Sequence, residues 1–61
     1  MSGHDMIRLY KQEGWELDRI HGSHHIMTRG GQTVSIPVHK GKALKRGTEA
    51  SLLKVLKGGR T

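Results

Sequence analysis

The sequence predicts a small α+β domain with the element order α-β-β-β-α, a three-stranded antiparallel sheet carrying two helices on one face. Three observations lead there. Apolar residues recur at helical spacing near both ends of the chain. Three short segments between them alternate apolar and polar residues. Glycines stand where the elements must stop or turn.

Met6, Ile7 and Tyr10, with Leu9 beside them, give the first helix its apolar stripe, and the reading is a helix over Gly3–Glu13. Ser2 or Asp5 can cap its start, although the stretch lacks a clear capping box, and Gly14 suits its end. Trp15–Ile20 alternates Trp15 and Leu17 against Glu16 and Asp18, the pattern of a half-buried strand. His24–Arg29 is the second strand and Gln32–Val38 the third, joined by a two-residue Gly30-Gly31 turn. Pro37 cannot donate to a ladder, so the third strand is expected at an edge. Thr48 reads as an N-cap for a second helix over Glu49–Lys57, with Leu52, Leu53 and Leu56 at helical spacing and Gly58 as terminator. The GGRT end is expected to fray.

Both helices must bury an apolar stripe, and one sheet face is the only candidate; the other face is left open. A Gly30-Gly31 turn pairs Met27 with Val34. A two-residue Gly22-Ser23 turn would set Leu17 opposite Thr28 and split the core. A three-residue turn, His21-Gly22-Ser23, pairs Leu17 with Met27 instead and puts Trp15, Leu17, Met27, Val34, Ile36 and Val38 on one face. Alternation then turns His25 toward the helices. His24 joins the open face with Ile20, Ile26, Ser35, Pro37 and His39, and His39 falls at the diagonal distance of about 7–8 Å from His24.

The chain has 61 residues, 11 Lys and Arg against 5 Asp and Glu, a net charge of +6 with histidines neutral, and no cysteine. That length is one domain, 1–61, which buries roughly 60% of its unfolded surface and is marginally stable alone. Disulfides and thiolate zinc sites are excluded. The basic surface favours a polyanion, nucleic acid before membrane. No apolar run approaches the roughly 20 residues of a membrane span, and the start lacks the pattern of a secretory signal; the expectation is a cytoplasmic protein. With Phe absent and Trp15 and Tyr10 the only aromatics, Trp15 is expected in the core.

The stretch "GSHH", Gly22–His25, places two histidines side by side. A metal site needs three or four convergent ligands, and adjacent strand residues point to opposite faces, so no native metal is expected from His4, His21, His24, His25 and His39. His24 and His25 could be ordinary amphipathic strand residues. They could also transfer protons, because histidine gives or takes a proton near neutral pH. Proton transfer on a basic surface suits metal-free RNA cleavage. A base takes the ribose 2′-hydroxyl proton, the oxygen attacks the adjacent phosphate, and an acid protonates the leaving 5′-oxygen.

Gly14-Trp15, Arg19 four residues on, "GSHH" at Gly22–His25, "IPVH" at Ile36–His39 and "GTEASLLKVL" at Gly47–Leu56 resemble, in order, the HicA-type toxins. The resemblance covers about Met6–Leu56, and its specificity lies in the order and spacing of short motifs. It implies a small metal-independent endoribonuclease, an mRNA interferase without a cofactor, from a type II toxin–antitoxin pair. It also implies a fold like that of double-stranded-RNA-binding domains. The expected partners are mRNA and a HicB-type antitoxin. The family's catalytic histidine follows the Gly-Ser pair and maps to His24, with His25 and His39 as alternates. Gly22 would let the RNA backbone approach and Ser23 would orient a phosphate. Further RNA contacts are expected from Arg19, Arg29, Lys40, Lys42, Lys45 and Arg46. The chain departs from the family pattern at Met27, where an aromatic is frequent, at its start and in its tail. The competing expectation is a non-catalytic RNA-binding module of the same fold.

Overall fold

The structure, a computed structural model, describes residues 1–58, so the GGRT end lies outside the described residues from Gly59 onward. The order is α1 (Gly3–Gln12), β1 (Glu16–His21), β2 (His24–Arg29), β3 (Gln32–Pro37) and α2 (Arg46–Leu56), and the antiparallel sheet runs β1-β2-β3. The expected class and element order are therefore present.

α1 begins with a capping box that the sequence reading did not find. The Asp5 backbone N–H donates to the Ser2 hydroxyl at 3.1 Å, and the Ser2 N–H donates to the Asp5 carboxylate at 3.2 Å. Aspartate stands where the box usually carries Glu or Gln, which hid the motif. The Ser2 backbone and side-chain bonds hold the Asp5 carboxyl below its ordinary value. This cap is complete above the usual carboxylate range and is lost as pH falls through the lowered value. At the other end, the Trp15 N–H donates to the Tyr10 carbonyl and the Gly14 N–H to the Lys11 carbonyl. That is the Schellman arrangement, and Gly14 supplies its left-handed residue at φ +92°. The chain thereby enters β1 with Trp15 folded back over Tyr10.

Met6, Ile7, Tyr10, Trp15, Met27, Ile36 and Leu52 form the buried core, with Val34, Val38, Leu53 and Leu56 packed around it. Met27 pairs with Val34 and His25 with Ile36, so these four share the helix-side face of the sheet. α1 packs on β3, and α2 packs on α1. The Tyr10 hydroxyl donates to the Leu52 carbonyl at 2.9 Å, joining the helices inside the core, and burial pushes the Tyr10 phenol up. β1 lies outside this cover, and all six of its residues are exposed.

Three expectations about the ladder are corrected. The first hairpin has a two-residue Gly22-Ser23 turn, with His21 opposite His24, and not the three-residue turn. Leu17 still meets Met27, because a bulge between Leu17 and Arg19 inserts Asp18 as the extra residue. The expected pairing is kept by a residue inserted inside β1 instead of at its end, but Leu17 stays 39% exposed and does not join the core, because no helix covers β1. The insertion also sets Ile20 opposite His25 on the helix side, not on the open face. The third strand ends at Pro37, one residue early, although the Val38 N–H still donates to the Ser23 carbonyl at 2.7 Å.

α2 also differs from expectation. It starts at Arg46, with Lys45 as an N-cap that makes no side-chain bond, so Thr48 lies inside the helix and does not cap it. The segment before it is anchored from outside: the Leu44 N–H donates to the Met1 carbonyl at 2.7 Å, and Ser2 bridges to Ala43. Long-range anchoring sets this helix start where a local cap was expected. Gly58, at φ +78°, ends the helix as expected.

Gly3 seats α1 on the sheet. A Cβ there would collide with the Pro37 carbonyl and crowd Val38. Gly3→Ala is expected to cost about 1–3 kcal/mol, the usual penalty of overpacking against backbone that cannot yield. A thermal melt checks it; an unchanged midpoint would show that the helix can slide away without loss.

Candidate nucleic-acid interface

The hairpin register sorts the five histidines into two pairs and a single residue. His21 and His24 stand directly opposite each other across the Gly22-Ser23 turn. Opposed residues on antiparallel strands carry Cβ atoms about 4.5–5.5 Å apart on the same face. Both are exposed, and His24 has Pro37 on its other flank. Gly22 makes the tight turn at φ +64°, where nothing lies within 4 Å of a would-be Cβ. The turn backbone is therefore open to an approaching chain.

His4 and His25 form the second pair, on the helix side. Their ring centroids are 6.1 Å apart at an interplanar angle of 77°, an edge-to-face contact between α1 and β2. His25 is half-buried, as expected for a helix-facing residue, and its Nδ1 is buried without a hydrogen-bond partner. The close seating of Gly3 on Pro37 and Val38 brings His4 to this position.

His39 lies past the end of β3. It lines a cavity of about 680 Å³ with His4, Val38, Lys40 and Lys42, and a second of about 480 Å³ with Pro37, Lys42, Leu44, Lys45 and Thr48. His24 lines neither of them, so these cavities group His39 with the basic segment and the start of α1. Among the described residues no three His, Asp or Glu side chains converge as a metal cluster, since the two pairs occupy opposite faces.

The expected cations are placed unequally. Arg19 pairs in register with Ile26 on the open face, where its guanidinium meets Asp18 at 2.7 Å. Arg29 shares the face of Met27, and its guanidinium donates to the Glu13 carbonyl at 3.1 Å, at the end of α1. The fold thus turns Arg29 away from His24 and gives it a structural bond. Lys40, Lys42, Lys45 and Arg46 are exposed between β3 and the first turn of α2. Ser23 is exposed, and its carbonyl is engaged by Val38. The residue that sequence reasoning missed is His21, assigned to the turn. Only the length of that turn decides whether His21 faces His24, and the displaced bulge hid it.

A family model described as HicA toxin of bacterial toxin-antitoxin matches residues 3–57. No curated protein and no solved structure matches the chain. No helix among the described residues is long and apolar enough to cross a membrane.

Proposed function

The chain belongs to the HicA toxin family of bacterial toxin–antitoxin systems, and from that premise we propose that it is a metal-independent endoribonuclease that cleaves mRNA by histidine acid–base catalysis. A toxin of this family has an antitoxin partner. The observation that carries the chemistry is the exposed His21–His24 pair on the uncovered face of a chain with net charge +6. His24 is the catalytic residue, with His21 opposite it as the second proton carrier. One imidazole takes the ribose 2′-hydroxyl proton. The freed oxygen attacks the adjacent phosphorus, and the second imidazole, protonated, gives its proton to the departing 5′-oxygen. The products are a 2′,3′-cyclic phosphate and a 5′-hydroxyl. The open backbone at Gly22 admits the RNA, the Ser23 hydroxyl orients a phosphate, and cationic side chains stabilise the phosphorane. DNA lacks the attacking hydroxyl and is not a substrate. The action on mRNA places the protein in the cytoplasm, and a HicB-type antitoxin would inhibit it by laying an acidic surface over His24.

A second reading has a specific observation behind it. The buried, unpartnered Nδ1 of His25 and the His4 ring set against it make the positioned pair the alternative centre. A buried polar atom without a partner is uncommon and calls for an explanation, a catalytic role among them. The discriminating experiment is a labelled RNA incubated in EDTA with His21→Ala, His24→Ala, His25→Ala and His4→Ala, each checked by thermal melting. Loss confined to the first two supports the open-face centre; loss confined to folded forms of the last two moves the chemistry to the helix-side pair. Binding without cleavage by the wild type would leave a non-catalytic RNA-binding module.

RNA affinity should be strongly salt-dependent. Lys40, Lys42, Lys45 and Arg46 are exposed and available for phosphates, whereas Arg19 is paired with Asp18, and neutralising about four on a single strand gives a log–log slope near −3. Arg29, engaged at the Glu13 carbonyl, should add nothing to that slope when changed to Gln. Fluorescence titrations from low to physiological salt measure it, and a flat line would remove the electrostatic account.

A further inference from the structure

β1 is an edge strand with all six side chains exposed, and it carries the two large apolar residues of the sheet that remain in water, Leu17 at 39% and Ile20 at 55% exposure. Exposed edges with apolar side chains are templates for strand addition. We propose that the outer edge of β1 pairs antiparallel with β1 of a second copy of this chain, about a twofold axis between Asp18 and Arg19.

The strand is complementary to itself in that register. Glu16 meets His21 of the second copy, Leu17 meets Ile20, and Asp18 meets Arg19, each contact occurring twice. Cross-strand partners must also share a face, and the bulge makes them do so. Residues three apart on a regular strand point to opposite sides. Here Leu17 stands opposite Met27 and Ile20 opposite His25, so both lie on the helix side. Glu16 stands opposite Thr28 and His21 opposite His24, so both lie on the open side. Without the inserted Asp18 the twofold register would set each apolar residue against a side chain of the other face. Asp18 and Arg19 already form an ion pair at 2.7 Å within one chain; the axis would bring two such pairs together as a ring of alternating charge.

The charge distribution favours a second copy over other occupants. The chain as a whole carries +6 and repels its own kind, but β1 sets Glu16 and Asp18 against Arg19 and His21. It is a balanced segment, unlike the basic stretch at Lys40–Arg46, and Glu16 and Asp18 along its outer edge favour a partner of mixed charge over a polyanion there. Pairing would join the sheets into six strands and place the two His21–His24 pairs on one continuous open face. This inference does not depend on what those histidines catalyse.

Sedimentation equilibrium on the full chain, from about 10 µM to about 1 mM, tests it, since a six-residue strand contact is a small interface and association should be weak. The expected result is a monomer–dimer equilibrium that Ile20→Lys weakens at least about tenfold without moving the melting midpoint. Arg19→Asp, which sets Asp18 against a new aspartate across the axis, should weaken it similarly. The double swap Asp18→Arg with Arg19→Asp restores opposite charges and should restore association. An isotope-mixed sample should show contacts between the Leu17 and Ile20 methyls of different copies. A monomer throughout the range overturns the proposal, as does a dimer indifferent to Ile20→Lys. A β1 that responds only to added antitoxin assigns the edge to that partner and overturns it as well.

Discussion

His24→Ala is expected to abolish RNA cleavage and growth arrest while the protein remains folded and continues to bind RNA. The expected loss is about 10²–10⁴ in rate, the usual contribution of a positioned acid or base. The fold should not suffer, because His24 is exposed at the start of β2 between His21 and Pro37, and its removal empties no core volume. RNA binding should change little, since the affinity resides in the Lys and Arg side chains. His21→Ala should lose activity in the same direction if it carries the second proton. His25→Ala should lose stability first, because its ring is half-buried against His4. His39→Ala, among the cavities of the basic segment, should lower affinity more than rate. Cleavage of a labelled RNA in chelator, beside induction of each variant in growing cells, decides the matter. A His24→Ala protein that cuts at the wild-type rate while a folded His25→Ala is dead would transfer catalysis to the helix side. Cleavage that stops in EDTA would end the proton-transfer mechanism altogether.

Trp15→Ala is expected to unfold the domain or leave it only partly folded at room temperature. Trp15 is 3% exposed and packs edge-on to Tyr10, with ring centroids 4.9 Å apart at 67°. Truncating a buried Trp costs about 3–5 kcal/mol, and an edge-to-face aromatic pair adds about 0.5–1.5 kcal/mol beyond burial. Domains have about 5–15 kcal/mol in total, and one of 61 residues sits at the low end. The Schellman bond from Trp15 to Tyr10 is a backbone contact and survives the substitution, so the loss measures the side chain. Trp15→Phe should cost much less. It keeps an aromatic against Tyr10 and removes the indole Nε1, which is buried without a partner. Urea unfolding followed by circular dichroism compares the three proteins. A Trp15→Ala protein that melts like the wild type would show that the core closes without this ring.

The sequence by itself determined the elements and their order. Met6, Ile7 and Tyr10 at helical spacing, the alternating strands, and the glycines at 14, 22, 30 and 58 are local signals, and local sterics and periodicity suffice to interpret them. It also pointed to Leu17 opposite Met27 and to His25 on the helix side, because one apolar face had to meet the helices; both placements hold, although Leu17 itself stays exposed where no helix covers β1. Its order of short motifs was enough to point to the HicA family. Tertiary structure decided the rest. The extra residue of the first hairpin could sit in the turn or in the strand with equal benefit to the core; placing it at Asp18 moved Ile20 to the helix side and His21 to His24. The start of α2 followed the bridge from Ser2 to Ala43 and the bond from Leu44 to Met1, made across some forty residues of chain, and so overrode the local preference of Thr48. Arg29, indistinguishable in sequence from a phosphate-binding cation, was claimed by the end of α1. The contact of His4 with His25 exists only because Gly3 lets the helix settle onto the end of β3. Each of these depends on which distant groups meet, and periodicity along the chain carries no record of that.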